Sequence, residues 1–170
     1  PDQCIITLCR AGNIIYGGSS YSGGLGVDPV TEEAVLFGWD VEKNEKAFSM
    51  VPVPKMRWIS GLAIGPDGNV WGWAEETLFI LDPETREVIF TKVYNPREIT
   101  NEHVWRDYSM VNGNDGFMYG AVYGRFFRIN AETREMEELA TGRALHQLAQ
   151  DRQGAFYCIQ KKNLIKVEKK

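Results

Sequence analysis

The sequence predicts an all-β fold made of a repeated four-stranded antiparallel unit, and three observations lead to this prediction. Glycine accounts for 17 of the 170 residues and aromatic residues for 12%, a composition that favours turns and strands. An aromatic–small dipeptide recurs along the chain. An apolar segment closed by a polar turn residue follows each copy. Self-similarity of this kind is typical of repeat architectures, in which each unit is one supersecondary element.

The dipeptide marks the second strand of each unit. Its copies are Tyr16-Gly17, Trp71-Gly72, Tyr119-Gly120 and Tyr157-Cys158. A residue suited to a left-handed turn stands three positions earlier: Asn13, Gly68, Gly116 and Gly154. We therefore predict a tight hairpin before each dipeptide, joining a first strand to a second one.

The third strand follows at a fixed distance. The predicted segments are 36–40, 78–82, 126–130 and 164–168. The aromatic residue and the residue that closes the segment are 11 positions apart in the last three copies, as from Trp71 to Asp82. The separation is 24 in the first copy, which therefore carries a 13-residue insertion. Unrelated strands would not keep this spacing three times.

A second hairpin leads into a fourth strand. The turn that begins at Asp82 (Asp-Pro-Glu-Thr-Arg-Glu) is nearly repeated at Asn130 (Asn-Ala-Glu-Thr-Arg-Glu). The turns at Asp40, Asp82 and Asn130 precede predicted fourth strands at 47–51, 88–91 and 136–139, and the chain opens on a first strand near 5–8. Four antiparallel strands over about 38 to 56 residues are the arrangement of a β-propeller blade.

The predicted organisation is a single β-propeller over residues 1–170. Its blades span about 4–53, 57–93, 104–140 and 144–170, and the last lacks a fourth strand. Because a propeller closes its ring by completing the last blade, we expect a larger propeller, with further blades before Pro1. A closed ring of four blades and the self-association of two copies are the alternatives.

The segment 65–72 (Gly-Pro-Asp-Gly-Asn-Val-Trp-Gly) resembles the turn-and-strand signature of NHL-like propellers. That group includes virginiamycin B lyase, the gluconolactonases and the sensor propellers of two-component regulators. The stretch from Tyr16 to Asp40 looks like uncharacterised bacterial propellers, some associated with carbohydrate-active proteins. The resemblance covers nearly the whole chain. It implies the fold and leaves the function open.

The composition and charge of the chain argue against several classes of function. A net charge of −4 argues against a nucleic-acid binder, which needs a basic surface. No apolar run approaches the roughly 18 residues that cross a membrane. Cys4, Cys9 and Cys158 form no Cys-x-x-Cys pair, so we expect buried thiols in strands and no metal site. We predict no cofactor, and the sequence leaves the cellular compartment open.

The resemblance implies where a ligand would bind: on the channel face, where the loops between second and third strands meet the connections between blades. The residues that this places there, as candidate ligand contacts, are Tyr21, Arg57, Trp58, Trp105, Arg106, Tyr123, Arg125, Arg143 and His146. Arginine pairs bidentately with carboxylates, and Trp and Tyr stack on sugar rings. These residue types suit an acidic carbohydrate or another small anion.

Three functions follow from this set. The first is a non-catalytic binding or sensor propeller, favoured because no catalytic constellation is evident. The second is a lyase acting on a uronate or a lactone. In it, His146 or His103 would remove a proton, Tyr108 would act as acid, and Arg57, Arg106 or Arg143 would neutralise a carboxylate. The third is a protein-interaction scaffold.

The repeat also predicts which residues occupy the same position in different blades. Counting back from the turn glycines places Ser60 and His146 at one equivalent position, and Tyr108 is their counterpart in the third blade.

Overall fold

The structure is a computed structural model. It describes residues 3–21, 28–29, 31–94, 108–122, 125–140, 146–160 and 162–167. In these ranges fifteen strands form four antiparallel sheets, and the ranges contain no helix. The described residues also include no helix long and apolar enough to cross a membrane.

The four sheets are consecutive in sequence, and within each sheet every strand pairs with the next one along the chain. Blade 1 contains β1 (Cys4–Ala11), β2 (Ile14–Ser20), β3 (Leu36–Asp40) and β4 (Glu45–Met50). Blade 2 contains β5 (Ile59–Ile64), β6 (Val70–Ala74), β7 (Thr77–Leu81) and β8 (Val88–Val93). Blade 3 contains β9 (Ser109–Asn112), β10 (Phe117–Val122), β11 (Arg125–Asn130) and β12 (Met136–Ala140). Blade 4 contains β13 (His146–Gln150), β14 (Phe156–Gln160) and β15 (Asn163–Val167).

These sheets confirm the predicted β-propeller fold, with blades of four antiparallel strands and three strands in the last. The predicted third strand at 36–40 is β3 as observed. The strand before the first turn is longer than predicted, because β1 runs from Cys4 to Ala11. The fourth strand of blade 1 begins at Glu45, two residues before its predicted start.

The chain divides into two compact units. The first consists of Pro1–Ile64 and Gly68–Glu98 and contains blades 1 and 2. The second consists of Gly65–Asp67 and Ile99–Lys170 and contains blades 3 and 4. Each unit therefore holds one pair of consecutive blades.

The repeated aromatic–small dipeptide has a steric cause. In blades 1, 2 and 3 its glycine pairs across the sheet with a phenylalanine of the third strand, as Gly72 does with Phe79. A Cβ atom at any of these glycines would collide with the phenylalanine ring, so the ring lies over the glycine. In blade 4 Cys158 takes the place of the glycine, and its cross-strand partner is the smaller Ile165. The pair thus keeps its combined volume while its two members change size.

Within the first unit, blade 2 packs on blade 1 through an apolar cluster. Tyr16 and Leu36 of blade 1 are buried with Ile59, Leu62 and Phe79 of blade 2. A polar contact accompanies this packing, because the backbone N–H of Leu62 donates to Oγ1 of Thr7 at 3.2 Å.

The second unit repeats this joint. Phe156 of blade 4 packs on Tyr119 of blade 3, with 4.3 Å between ring centroids. The backbone N–H of Leu148 donates to Oγ of Ser109 at 3.0 Å. In each unit, a hydroxyl on the first strand of one blade thus accepts an N–H from the first strand of the next blade.

The hairpin between third and fourth strands is also repeated. The Oδ1 atoms of Asp40, Asp82 and Asn130 each accept two backbone N–H groups, from residues two and three positions later. These bonds explain the Asp or Asn at the start of each turn, since a short carbonyl side chain can satisfy the backbone there. In blade 1 they hold the pKa of Asp40 below its ordinary value.

The cysteines lie in strands, as expected, but only one is fully buried. Cys4 and Cys9 are half-buried in β1, and Cys158 is buried in β14. All three are present as thiols. Burial raises the pKa of Cys9 to about 12, so this thiol is unreactive at neutral pH.

Candidate functional site

The structure describes part of the predicted site. Tyr21, Arg57 and Trp58 lie in the first unit, and Tyr108 and Arg125 lie in the second. His146 is the first residue of β13, described here by its backbone alone. Five predicted site residues fall outside the described ranges: His103, Trp105, Arg106, Tyr123 and Arg143.

In the first unit, backbone hydrogen bonds bring three chain segments together where strands end. The end of β2 bridges to the residue before β5, through Ser20 and Trp58. The N–H of Tyr21 donates to the carbonyl of Arg57 at 2.7 Å, and the N–H of Glu75 donates to the carbonyl of Trp58 at 3.2 Å. We call this cluster the strand-end site. Its members are Tyr21, Arg57, Trp58, Glu75 and Glu76.

An ion pair lies at the centre of the strand-end site. Oε1 of Glu75 accepts from Nε of Arg57 at 3.0 Å and from the backbone N–H of Arg57 at 2.7 Å. The Glu75 side chain is nearly buried, whereas 34% of the Arg57 side chain is exposed. A carboxylate that accepts from both the main chain and the side chain of one residue fixes that side chain in place. Arg57 therefore presents a positioned guanidinium.

Glu75 adopts an unusual backbone conformation. Its φ is +50°, in the left-handed region that is uncommon for residues other than glycine. It is the first residue of the two-residue turn between β6 and β7. A glycine would adopt this conformation with less strain. The carboxylate is therefore what this residue contributes at this position.

Trp58 packs beneath Arg57 in the strand-end site. The guanidinium of Arg57 lies 4.5 Å from the centroid of its ring, in a cation–π contact. Only 2% of Trp58 is exposed, so its ring is not open to stacking by a sugar. Two residues further along, Ser60 is equally buried. Among the described residues, neither Nε1 of Trp58 nor Oγ of Ser60 has a hydrogen-bond partner.

Glu76, the last member of the strand-end site, connects it to Tyr94. The N–H of Tyr94 donates to the carbonyl of Glu76 at 3.2 Å, and the ammonium of Lys92 lies 4.8 Å from the centroid of the Tyr94 ring. Burial raises the pKa of Glu76, and the neighbouring Glu75 charge adds to this effect. Two adjacent carboxylates and one guanidinium thus give the site a mixed charge.

Arg125 is engaged within its own blade. It stands at the start of β11 and forms an ion pair with Glu138 of β12, the neighbouring strand. Arg128 does the same with Glu137, with Nε of Arg128 2.7 Å from Oε2 of the carboxylate. Arg125 thus contributes to an ion pair between strands of blade 3.

The equivalence of Tyr108 with Ser60 and His146 is wrong. Across the first hairpin, Ser60 pairs with Trp73 and His146 with Ile159, each two residues after the repeated aromatic. In blade 3 the matching residue Ala121 pairs with Ser109. Blades 2 and 4 carry a register shift in this hairpin and blade 3 does not, so counting back a constant number of residues overshoots by one. Tyr108 is buried just before β9.

The sequence pattern did not identify Glu75 as the partner of Arg57. The two residues are 18 positions apart, and β5 and β6 bring them together only when paired. The sequence feature that could have pointed to this ion pair was the acidic two-residue turn, Glu75-Glu76, directly after the buried strand β6. Within the described ranges, His, Cys, Asp and Glu side chains form no group of three that could hold a metal ion.

The comparisons with known proteins identify the fold. No protein-family model and no curated protein matches the chain. A solved structure of an extracellular domain assigned to a one-component system of B. thetaiotaomicron matches with a TM-score of 0.69 at 12% identity, covering 97% of this chain and 21% of that one. A second structure of the same protein, assigned there to a hybrid two-component system, gives the same score and identity, with 98% and 21% covered.

The chain thus spans about a fifth of the length of these structural neighbours. At 12% identity the likeness shows the shared fold and not a shared function. It agrees with the four blades described above.

Proposed function

We propose that this chain belongs to a sensor-type propeller that binds a small acidic ligand, such as a sugar acid, without chemical conversion at the strand-end site. The observation that carries the proposal is the positioned guanidinium of Arg57, held by Glu75 and supported by Trp58. The structural neighbours support the sensor part, since they are named as extracellular domains of one-component and hybrid two-component systems.

The chemistry of the site favours a ligand with both a carboxylate and hydroxyl groups. A guanidinium binds a carboxylate through charge-assisted hydrogen bonds, and holding it in advance lowers the entropy lost on binding. The carboxylates of Glu75 and Glu76 can accept hydrogen bonds from hydroxyl groups. Because Trp58 lies buried beneath Arg57, recognition at this site is polar and does not rely on ring stacking.

A binding role also fits the state of the carboxylate next to Arg57. A general base must be available to take a proton from the substrate. Oε1 of Glu75 already accepts two hydrogen bonds from Arg57, so this oxygen is engaged within the site. This arrangement supports positioning rather than proton transfer.

The test is a binding measurement with a matched control. Galacturonate and glucuronate are titrated into the protein by calorimetry, with neutral galactose as the reference ligand. Arg57→Gln should weaken uronate binding about 10- to 100-fold, because it removes the charge-assisted bonds. Arg128→Gln is the control. Arg128 also donates through Nε to a carboxylate and lies 4.4 Å from an aromatic ring centroid, but it does so within blade 3.

Uronate binding that persists in Arg128→Gln and falls in Arg57→Gln supports the proposal. Equal loss in both variants, or equal affinity for galactose and galacturonate, contradicts it. Turnover of a uronate polymer, followed as an absorbance increase from an unsaturated product, would replace the binding role with the lyase alternative.

A further inference from the structure

The insertion of blade 1 lies between β2 and β3 and meets the connection between blades 1 and 2. Residues 21–35 join β2 to β3, whereas Glu75 and Glu76 alone join the equivalent strands of blade 2. We call residues 31–35, which lead into β3, the returning arm. Hydrogen bonds from both ends of the insertion reach the connection between the two blades. The extra chain of blade 1 is therefore in contact with the part of the first unit that carries the strand-end site.

The returning arm makes two hydrogen bonds to residues 55–58, which we call the Arg57 segment. Oε1 of Glu33 accepts from the backbone N–H of Lys55. The N–H of the next residue, Ala34, donates to the carbonyl of Met56 at 2.8 Å. The two residues that precede Arg57 are therefore both held by the returning arm.

The other contacts of the Arg57 segment come from the strand-end site itself. The N–H of Tyr21, at the beginning of the insertion, donates to the carbonyl of Arg57 at 2.7 Å. On the other side, Glu75 accepts from the N–H of Arg57, and its own N–H donates to the carbonyl of Trp58. The insertion thus holds the carbonyl of Arg57 and the turn of blade 2 holds its N–H.

Lys55 has the constrained backbone of this segment. Its φ is +64°, in the left-handed region that is uncommon for residues other than glycine. Asn44, Arg86 and Arg134 share this conformation but lie in the repeated turns between third and fourth strands, whereas Lys55 lies between two blades. Such a conformation persists where surrounding contacts impose it, and it is frequent at ligand sites. The carboxylate of Glu33 on the N–H of Lys55 is a contact of this kind.

The returning arm is itself anchored to blade 1. Nε2 of Gln3 donates to the carbonyl of Glu33 at 2.7 Å and to Oγ1 of Thr31. The hydroxyl of Ser19, a buried residue of β2, donates to Oε1 of Gln3 and accepts the N–H of Val35 at 2.8 Å. These bonds fix the arm on blade 1, so it can support the segment that it contacts.

We propose that the returning arm positions Arg57 for binding a carboxylate, with Glu33 as the positioning residue. The inference rests on the proposed function and deepens it, because it assigns the insertion of blade 1 a role in the same site. Glu33 acts through the main chain of the Arg57 segment and makes no contact with the ligand. A side chain held in place before binding loses less entropy when the ligand binds. Loosening the segment should therefore lower the affinity although every group that contacts the ligand is still present.

The test compares Glu33→Ala with Glu33→Gln and uses Asp82→Ala as the matched control. In calorimetric titrations with galacturonate, Glu33→Ala should bind about 5- to 10-fold more weakly than the wild type, because the Arg57 segment loses a support. Glu33→Gln should bind within about twofold of the wild type, since an amide oxygen can accept the same N–H. Asp82 also accepts backbone N–H groups through its carboxylate, but at the opposite end of blade 2 from the strand-end site. Asp82→Ala should therefore bind as the wild type does.

A second measurement requires no ligand. Hydrogen exchange of the Arg57 backbone amide, followed by NMR, should be about 10-fold faster in Glu33→Ala and unchanged in Glu33→Gln and Asp82→Ala. Unchanged exchange in Glu33→Ala overturns the positioning role, as does equal galacturonate affinity of Glu33→Ala and the wild type. If the wild type binds galacturonate no better than galactose, the proposed function fails. The exchange rate then still decides whether Glu33 positions Arg57.

Discussion

The two units contain the same joint between blades and differ in how one arginine of each is held. In each joint, an apolar cluster is accompanied by one hydroxyl that accepts an N–H from the next blade, Thr7 in the first unit and Ser109 in the second. The strand-end site is described in the first unit. The comparison teaches that the repeat fixes what joins the blades, whereas the fixing of an arginine depends on how far its carboxylate partner is buried.

Two arginines illustrate the difference. Arg57 and Arg128 each donate through Nε to a carboxylate and lie over an aromatic ring. The partner of Arg57 is nearly buried, and its oxygen also accepts a backbone N–H. The partner of Arg128 is Glu137, which is mostly exposed. The same pair of contacts thus fixes a side chain in one unit and contributes little in the other.

The largest loss of stability should follow from disturbing the pair of Gly72 and Phe79, because Phe79 belongs to the apolar cluster that joins blades 1 and 2. Gly72→Ala should lower the free energy of unfolding by about 3 kcal/mol, because its Cβ would meet the ring of Phe79 and Cδ2 of Leu62. Gly68→Ala is the control, with open space around it and a φ of +78°, and should cost about 1 kcal/mol through backbone strain. Urea denaturation measures both.

A double variant sharpens this result. Adding Phe79→Ile to Gly72→Ala brings the pair closer to the Cys158 and Ile165 pair of blade 4. The second change should recover part of the loss, with a coupling energy of about 1–2 kcal/mol in a double-mutant cycle. Strictly additive effects would show that the ring and the glycine are not matched to each other.

The next largest effect should distinguish the two ion pairs. Glu75→Ala should cost about 2 kcal/mol, because it leaves the backbone N–H and Nε of Arg57 without their shared acceptor. Glu137→Ala, at the exposed partner of Arg128, should cost about 0.5 kcal/mol or less. Thermal and urea denaturation of the two variants would show whether burial separates them, and similar costs would refute the distinction.

The hydroxyls of the joints should show equal effects in the two units. Thr7→Val and Ser109→Ala should each cost about 1 kcal/mol, since each leaves an N–H of the next blade without its acceptor. Ser60 has the same position in the repeat, but its hydroxyl has no partner among the described residues. Ser60→Ala should therefore change the stability by about 0 kcal/mol. A loss comparable to that of Thr7→Val would show that Ser60 forms such a bond in solution.

The smallest effect is a pH dependence at the strand-end site. Burial raises the pKa of Glu76 in the folded protein, so its protonated form is favoured there. The contribution of Glu76 to stability is then fully present below the ordinary carboxyl pKa and is lost as pH rises through the raised value. Glu76→Gln should therefore gain stability over the wild type between about pH 4 and pH 7. Melting temperatures across this range test the sign, and a constant difference between the proteins would contradict it.

Two other carboxyl groups have lowered pKa values, but they do not affect the comparison between Glu76→Gln and the wild type. Hydrogen bonds lower the pKa of Asp40 and of Asp151, so their stabilising contribution is lost as pH falls. Both carboxylates remain in Glu76→Gln. The difference between variant and wild type therefore isolates Glu76.

The sequence by itself determined the blades, because the constraints that define them are local. The glycine of each dipeptide must accommodate a ring from the adjacent strand, and each Asp or Asn must satisfy a neighbouring turn. Such requirements recur at fixed spacing and are visible as a repeat. They also make Phe37, Phe79 and Phe127 recognisable as equivalent residues.

Only the tertiary structure decided which residues act together across strands and blades. The register shifts that align Ser109, rather than Tyr108, with Ser60 depend on backbone pairing that counting along the chain does not reveal. The pairing of Arg57 with Glu75 depends on β5 and β6 lying side by side. These features arise from contacts between distant segments, and no local pattern of residue types determines them.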